Sequence, residues 1–165
     1  MKNIHFTVGP SQIYRTVPKH IKTALAENIP SLSHRSNKFK EINKATHQNL
    51  RALLNIPETH HIFYTSSALE AMERTIQNTV KTHVLHFVNG SFSREFYQTS
   101  LDLKKKPFRI DAPNGKGFDF DKVKIPKKIE LVCFVHNETS TGVSLRLDQI
   151  YRLKEKYPEK LFAID

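Results

Sequence analysis

Tryptophan is absent from this chain and cysteine occurs once, at Cys133. A single thiol forms no internal disulfide and has no Cys-x-x-Cys partner for zinc, so stapled secreted scaffolds and zinc-knit modules are excluded and a reducing, cytoplasmic interior is the expected setting. Long apolar runs are missing too. No stretch of about 18 apolar residues offers a membrane-spanning helix, and MKNIHFTVGPSQIY at the amino terminus lacks the apolar segment of roughly 7–15 residues that a signal peptide needs. Glycine is sparse, 5 residues against 8 Pro, and no repeat or low-complexity tract appears, which excludes fibrous and disordered classes. Acidic residues are the scarcer charge: 16 Asp+Glu against 26 Lys+Arg leave +10, a field that draws in phosphates, acidic metabolites or nucleic acid without choosing among them.

What is present fits an ordinary globular chain. The 165 residues are one domain's worth, or one large domain cut short, at about 100–200 residues per domain. Hydrophobic residues make up 38%, and 11 Phe with 5 Tyr can fill a sizeable core. The densest basic stretch, Lys104-Lys105-Lys106 followed by Lys122, Lys124, Lys127 and Lys128, lies among Pro107, Pro113, Asn114, Gly115 and Pro126 and reads as a solvated surface loop. Aromatic residues do not alternate with those lysines as a stacking platform for bases requires, so nucleic acid is not the expected partner. A basic α/β module that binds nucleic acid is nevertheless the alternative from a different functional class.

The apolar spacing predicts alternating elements. In VPKHIKTALAEN (Val17 to Asn28), Ile21, Ala24 and Leu25 share a helical face, Pro18 is tolerated in the first turn, and Pro30 stops the helix. From Ser36 as N-cap, Phe39, Ile42, Leu50, Leu53 and Leu54 mark a longer helix that ends before Pro57. HIFYT (His61 to Thr65) is a β-type run that passes through Ser66-Ser67 into the helical ALEAMERTIQNTV. The rhythm returns with a strand over Thr82 to Val88, a turn at Asn89-Gly90 and a helix over Ser93 to Leu103. Lys106 to Asp111 reads as a strand, Glu130 to Val135 as a strand buried on both faces, Leu147 to Tyr157 as a helix, and Leu161 to Asp165 as one more strand. The alternation specifies a three-layer α/β/α architecture around a mostly parallel sheet. LFAID, a strand core with no covering helix after it, suggests that residues 1–165 are a single incomplete domain.

In open α/β sheets ligands bind beyond the carboxyl ends of the strands. Four polar clusters follow expected strands: Thr65-Ser66-Ser67-Ala68, Asn89-Gly90-Ser91-Phe92, His136-Asn137-Glu138-Thr139-Ser140-Thr141-Gly142, and Asp165. The first sits where a strand becomes a helix. Backbone N–H groups from Ser67 to Leu69 there suit a phosphate, with the Ser66 and Ser67 hydroxyls adding bonds, although a serine N-cap explains the same residues. Phe92 suits either a flat contact with a planar ring or a place in the core. Asp165 suits either a protonated ring nitrogen or a helix cap.

Taken in order, these clusters resemble the large domain of the class V, fold-type I, aminotransferases that use pyridoxal 5'-phosphate (PLP). The likeness runs over nearly the whole chain: FTVGPS (Phe6 to Ser11), SHRSNKF (Ser33 to Phe39), TSSALEAMER, VNGSFSR, HNETSTGV and AID. HNETSTGV with SHRS points to the branch of phosphoserine and alanine–glyoxylate aminotransferases, more than to cysteine desulfurases, whose ring-stacking residue is a histidine. The resemblance implies transfer of an amino group between an amino acid and a 2-oxo acid, phosphoserine aminotransferase-like, with alanine–glyoxylate or serine–pyruvate exchange as the alternative. It implies that Ser67, Ala68 and Leu69 cradle the cofactor phosphate, that Phe92 stacks on the pyridine, that Thr139 bonds near the ring hydroxyl and that Asp165 holds the ring nitrogen protonated. Leu69 stands where many relatives carry a polar side chain, and Phe92 where close relatives have Trp. His34 and Arg35 resemble the contact to the substrate's anionic group, a segment that can serve the neighbouring subunit's site, so a homodimer is implied. The Schiff-base lysine of the family follows the Asp-bearing strand, so it is expected after Asp165 together with the small carboxyl-terminal domain, and the 165 residues alone are expected not to transaminate. No catalytic role falls to His60, His61 or His136, Cys133 reads as a small core residue, and no metal is implied.

Overall fold

The computed structural model of the protein describes residues 4–7 and 9–165; Met1–Asn3 and Val8, the latter inside FTVGPS, lie outside the described residues. Two compact units form, one through Tyr64 and one from Thr65 to Asp165.

The first unit carries helices α1 (Val17–Ala26) and α2 (Asn37–Leu54), with a 3₁₀ turn at Ile29–Ser31. Pro18 occupies the first turn of α1, and Asn28, with a left-handed φ of 52°, turns the chain after it. At α2 the Ser36 hydroxyl accepts from the Phe39 amide at 3.2 Å, the N-cap expected from sequence. HIFYT is not a strand. Its residues favour strands, but a strand exists only through a paired neighbour, and no described residue pairs with this run; Phe63 is left 84% exposed.

The second unit contains α3 (Ala68–Thr79), α4 (Ser91–Asp102) and α5 (Leu147–Lys156) with strands β1 (His83–Val88), β2 (Lys106–Asp111), β3 (Leu131–Phe134) and β6 (Leu161–Ile164), and a small hairpin of β4 (Asn137–Glu138) and β5 (Val143–Ser144). The four longer strands are parallel in the order β2-β1-β3-β6. Both faces are covered, as the continuous apolar strands demand. Val84, Leu131 and Cys133 pack with Met72, Ile76 and Phe96 from α3 and α4. Leu85, Phe87, Val132 and Phe134 pack on the other face with Ile150 and Leu153 of α5 and with Phe120, Val123 and Ile125 of the β2–β3 connection. Phe87 and Phe134 stack at 4.8 Å between centroids, and Phe118 and Phe120 meet Phe87 edge-on. Burial pushes the Cys133 thiol pKa well up, as for a core residue.

Helix α4 starts at Ser91, two residues before the expected Ser93. Ser93 is part of its first turn, where its hydroxyl accepts from the Asn89 and Gly90 amides at 3.0 Å each. The β4–β5 hairpin was not expected, since two-residue strands are too short to show a period. Among the described residues no helix is long and apolar enough to cross a membrane.

Candidate functional site

Because the strands run parallel, β1, β3 and β6 deliver their carboxyl ends to one edge. The chain leaves β1 toward β2 and returns past it to β3, so the order reverses between β1 and β3, and a crevice is expected there. The segments after β1 and β3 carry Phe92, in the first turn of α4, and Thr139, in the turn between β4 and β5.

Two helices also begin at or near these segments, and their amino ends differ. At α3 the Ser67 hydroxyl caps the Glu70 amide at 3.1 Å, while the Glu70 carboxylate accepts from the Ser66 amide at 2.9 Å and the Ser66 hydroxyl at 2.7 Å. Those Ser66 bonds, the amide first, hold the Glu70 carboxyl below its ordinary range. The Ser66 hydroxyl is therefore committed to Glu70 and does not extend a phosphate cradle, contrary to the expectation from sequence. The Ser67, Ala68 and Leu69 amides find no acceptor among the described residues. They are three unspent donors at the positive end of a helix dipole.

At α4 the corresponding donors are spent. Ser140 Oγ accepts from the Ser91 amide at 2.8 Å, Glu138 Oε1 from the Phe92 amide at 3.2 Å, and Glu138 Oε2 from the Ser93 amide at 2.9 Å and the Ser93 hydroxyl at 2.8 Å. Ser140 Oγ in turn donates to Glu138 Oε1 at 2.5 Å. Glu138 is wholly buried. Burial pushes its carboxyl pKa up, but the bonds from Ser140, Ser93 and Phe92 outweigh that cost and hold it low. The close approach requires Gly90, because a Cβ there would overlap the Glu138 side chain.

Asp165 follows β6, donates its amide to the Phe134 carbonyl at 3.0 Å and accepts from the His136 amide at 2.7 Å. Burial, and then the charge of Glu138, raise its carboxyl pKa. Asp165 and Ala68 line one crevice of about 80 Å³, with Met72 and Phe96 behind them. The structure thus brings the open end of α3 to Asp165. Phe92, 46% exposed, and Thr139, also exposed, flank Glu138 but do not line that crevice. His34 and Arg35 form an exposed turn in the first unit, closed by the Ser36 amide on the Ser33 carbonyl at 2.9 Å.

Sequence reasoning named Glu138 within its cluster but gave it no role. Its signal was chemical: it is the one carboxylate in HNETSTGV, opposite a glycine whose φ of −177° needs no glycine for conformational reasons. Lys104–Lys106 differ from a free loop: Lys105 Nζ donates to the Val80 carbonyl at 2.6 Å, and Lys106 opens β2 at the sheet's amino edge, away from the site.

Comparison with known proteins agrees with this geometry. The family model "Aminotransferase class-V" matches residues 6–165. An uncharacterised aminotransferase of Methanocaldococcus jannaschii is 29% identical over 171 residues, covering 100% of this chain and 42% of that protein. A phosphoserine aminotransferase of Legionella pneumophila is 24% identical over 152 residues, 84% of this chain and 42% of that protein. The crystal structure of a phosphoserine aminotransferase from Cytophaga hutchinsonii superposes with a TM-score of 0.93 at 41% identity, covering 98% of this chain and 45% of that one. The chain therefore spans less than half the length of the relatives it matches. A match over nearly every residue, on a sheet whose carboxyl edge carries an open helix end beside an aspartate, places this chain in the class V aminotransferases.

Proposed function

We propose that this chain supplies the front part of the PLP-binding domain of an aminotransferase that moves an amino group between an amino acid and a 2-oxo acid, with a phosphoserine-type donor. One observation carries the reading: of the two helix ends, α4 is filled by Glu138, whereas α3 keeps the Ser67, Ala68 and Leu69 amides free among the described residues, and Ala68 shares a crevice with Asp165. The donor set fits the cofactor. The Ser67, Ala68 and Leu69 amides suit a phosphate dianion. The half-exposed Phe92 ring offers a face for stacking, the Thr139 hydroxyl is uncommitted, and Asp165, whose basicity is raised, suits a protonated ring nitrogen. When bound, PLP supplies an electron sink for charge that develops at the substrate Cα. The residues' work is to fix that ring: the amides hold its anion, Phe92 limits its tilt, and Asp165 keeps a proton on its nitrogen. On this reading His34 and Arg35 hold the substrate's anionic group, and the Schiff-base lysine of the family is expected after Asp165, so the 165 residues alone bind the cofactor weakly, through non-covalent contacts, and do not turn it over.

The test is an amide-resolved NMR titration of the chain with inorganic phosphate and then PLP. Shifts at Ser67, Ala68 and Leu69, with PLP displacing phosphate, support the reading; shifts at the first turn of α4 instead, or none, overturn it. In a longer protein carrying this chain, faster exchange with O-phosphoserine than with alanine supports the phosphoserine branch, and the reverse order favours the alanine–glyoxylate alternative.

A further inference from the structure

The amino end of α4 is closed from inside by a carboxylate that belongs to a different loop. Glu138 lies 45 residues from Ser93 in sequence, and between them Glu138 and Ser140 take up every first-turn amide from Ser91 to Ser93. The Thr141 hydroxyl adds a bond to the Asn89 carbonyl at 3.1 Å. Glu138 reaches this position because β4 pairs with β5, setting Glu138 opposite Val143, and because Gly90 leaves room for its side chain. An unpaired carboxylate with no exposure is costly, but here hydrogen bonds from one hydroxyl on each loop and from two amides at a positive helix end satisfy it.

We propose that Glu138 is a positioning residue for the cofactor site: through these bonds it fixes the helix end that carries Phe92 against the loop that carries Thr139. The inference rests on the PLP reading above. Phe92 follows from it directly, since its own amide is one of the donors to the carboxylate. Thr139 lies between Glu138 and Ser140, both of which are anchored, so its backbone has little freedom. The clamp also explains the difference between the helix ends. With Glu138 in place, α4 presents no free donors, and the anion is left to α3. Its second effect is electrostatic, because the same charge stands close enough to Asp165 to raise the basicity of that carboxylate.

The test uses the 165-residue chain with Glu138→Ala and the shape-preserving Glu138→Gln. Three quantities are read: exchange of the Phe92 and Ser93 amides, the carbon-detected titration of Asp165, and the Kd for PLP. Loss of a charge-assisted bond should speed exchange at Phe92 and Ser93 on the order of tenfold, with Val84 and Val132 in the core strands unchanged. The Asp165 titration should move to lower pH in both variants, a change that a purely architectural role for Glu138 would not produce. PLP should bind several-fold more weakly while inorganic phosphate binds α3 as before. If Glu138→Ala does not fold, Glu138→Gln, which leaves one acceptor in place of two, carries the test with a smaller change in the same direction. Wild-type PLP affinity in the folded variants, or an unmoved Asp165 titration, overturns the proposal and leaves the cofactor reading intact. A wild-type chain that ignores PLP overturns the cofactor reading, and the role of Glu138 falls with it.

Discussion

His86 couples the stability of this chain to pH. It lies in the middle of β1 at 1% exposure, with Nε2 2.8 Å from Ser100 Oγ and Nδ1 without a partner among the described residues. Phe96 and Tyr97 enclose the ring edge-on. Burial pushes its pKa down to about 3, whereas in the unfolded chain the ring titrates near about 6.5. Between those values the unfolded state binds a proton that the folded state refuses, so the stability is full above the unfolded pKa and falls as pH falls. At about 1.4 kcal/mol per pH unit, the loss between pH 8 and pH 5 comes to about 2 kcal/mol. That is a large share of the roughly 5–15 kcal/mol typical of a domain. The assay is urea unfolding at intervals over that range for the wild type and for His86→Gln, which can still reach Ser100 but does not titrate. The other eight of the 9 histidines are common to both proteins. Glu70, Glu130 and Glu138, whose pKa values are lowered, release their stabilisation only below the ordinary carboxylate range, outside the window. The variant should show a pH dependence flatter by about 2 kcal/mol; parallel curves would refute the argument.

At the opposite edge of the sheet, Glu130 accepts from the Lys81, Thr82 and His83 amides at 2.7–2.8 Å, so Glu130→Ala should cost about 1–3 kcal/mol in denaturant unfolding, and a loss under half a kcal/mol would contradict this account. Phe134→Ala empties the centre of the Phe87, Phe118, Phe120 and Phe162 cluster; calorimetry should show a loss of about 3–5 kcal/mol with the far-ultraviolet spectrum retained. In a longer, active protein carrying this chain, Arg35→Ala should weaken substrate use by about 2–5 kcal/mol while PLP content stays intact. Loss of PLP with unchanged substrate preference would reassign Arg35.

Where periodicity and punctuation agree, the sequence was legible. Ser36 and Ser67 cap the helices they were expected to cap, and β2 runs from Lys106 to Asp111 as read. HIFYT misled because a β-favouring run says nothing about whether a partner lies beside it. The order of motifs singled out Ser67–Leu69, Phe92, Thr139 and Asp165, and the fold carries these residues to strand ends and helix starts, with Ala68 and Asp165 on one crevice and Phe92 and Thr139 beside Glu138. The Glu138 clamp was not. It joins residues 45 apart through side chain and amide, and neither hydrophobic spacing nor local capping rules reach across such a gap. Ser66 was misread for a related reason, since the strongest local acceptor for its hydroxyl was Glu70, one helical turn ahead.

The two borders of the sheet are chemically unequal. Along β2 the Lys106 and Ala112 amides point inward to the Thr82 and Val88 carbonyls, so residues 107, 109 and 111 turn their backbone nitrogens outward. The first of these is Pro107, which has no hydrogen to offer, and the other two bear the Arg109–Asp111 ion pair at 3.1 Å. Along β6 the residues are Leu161, Phe162, Ala163 and Ile164, without charge or proline, and Leu161 and Ile164 are 49% and 43% exposed. An incoming extended segment meets a fenced border on one side and an open one on the other. Growth of this sheet is therefore directional: an added extended segment is received along β6 and turned away along β2.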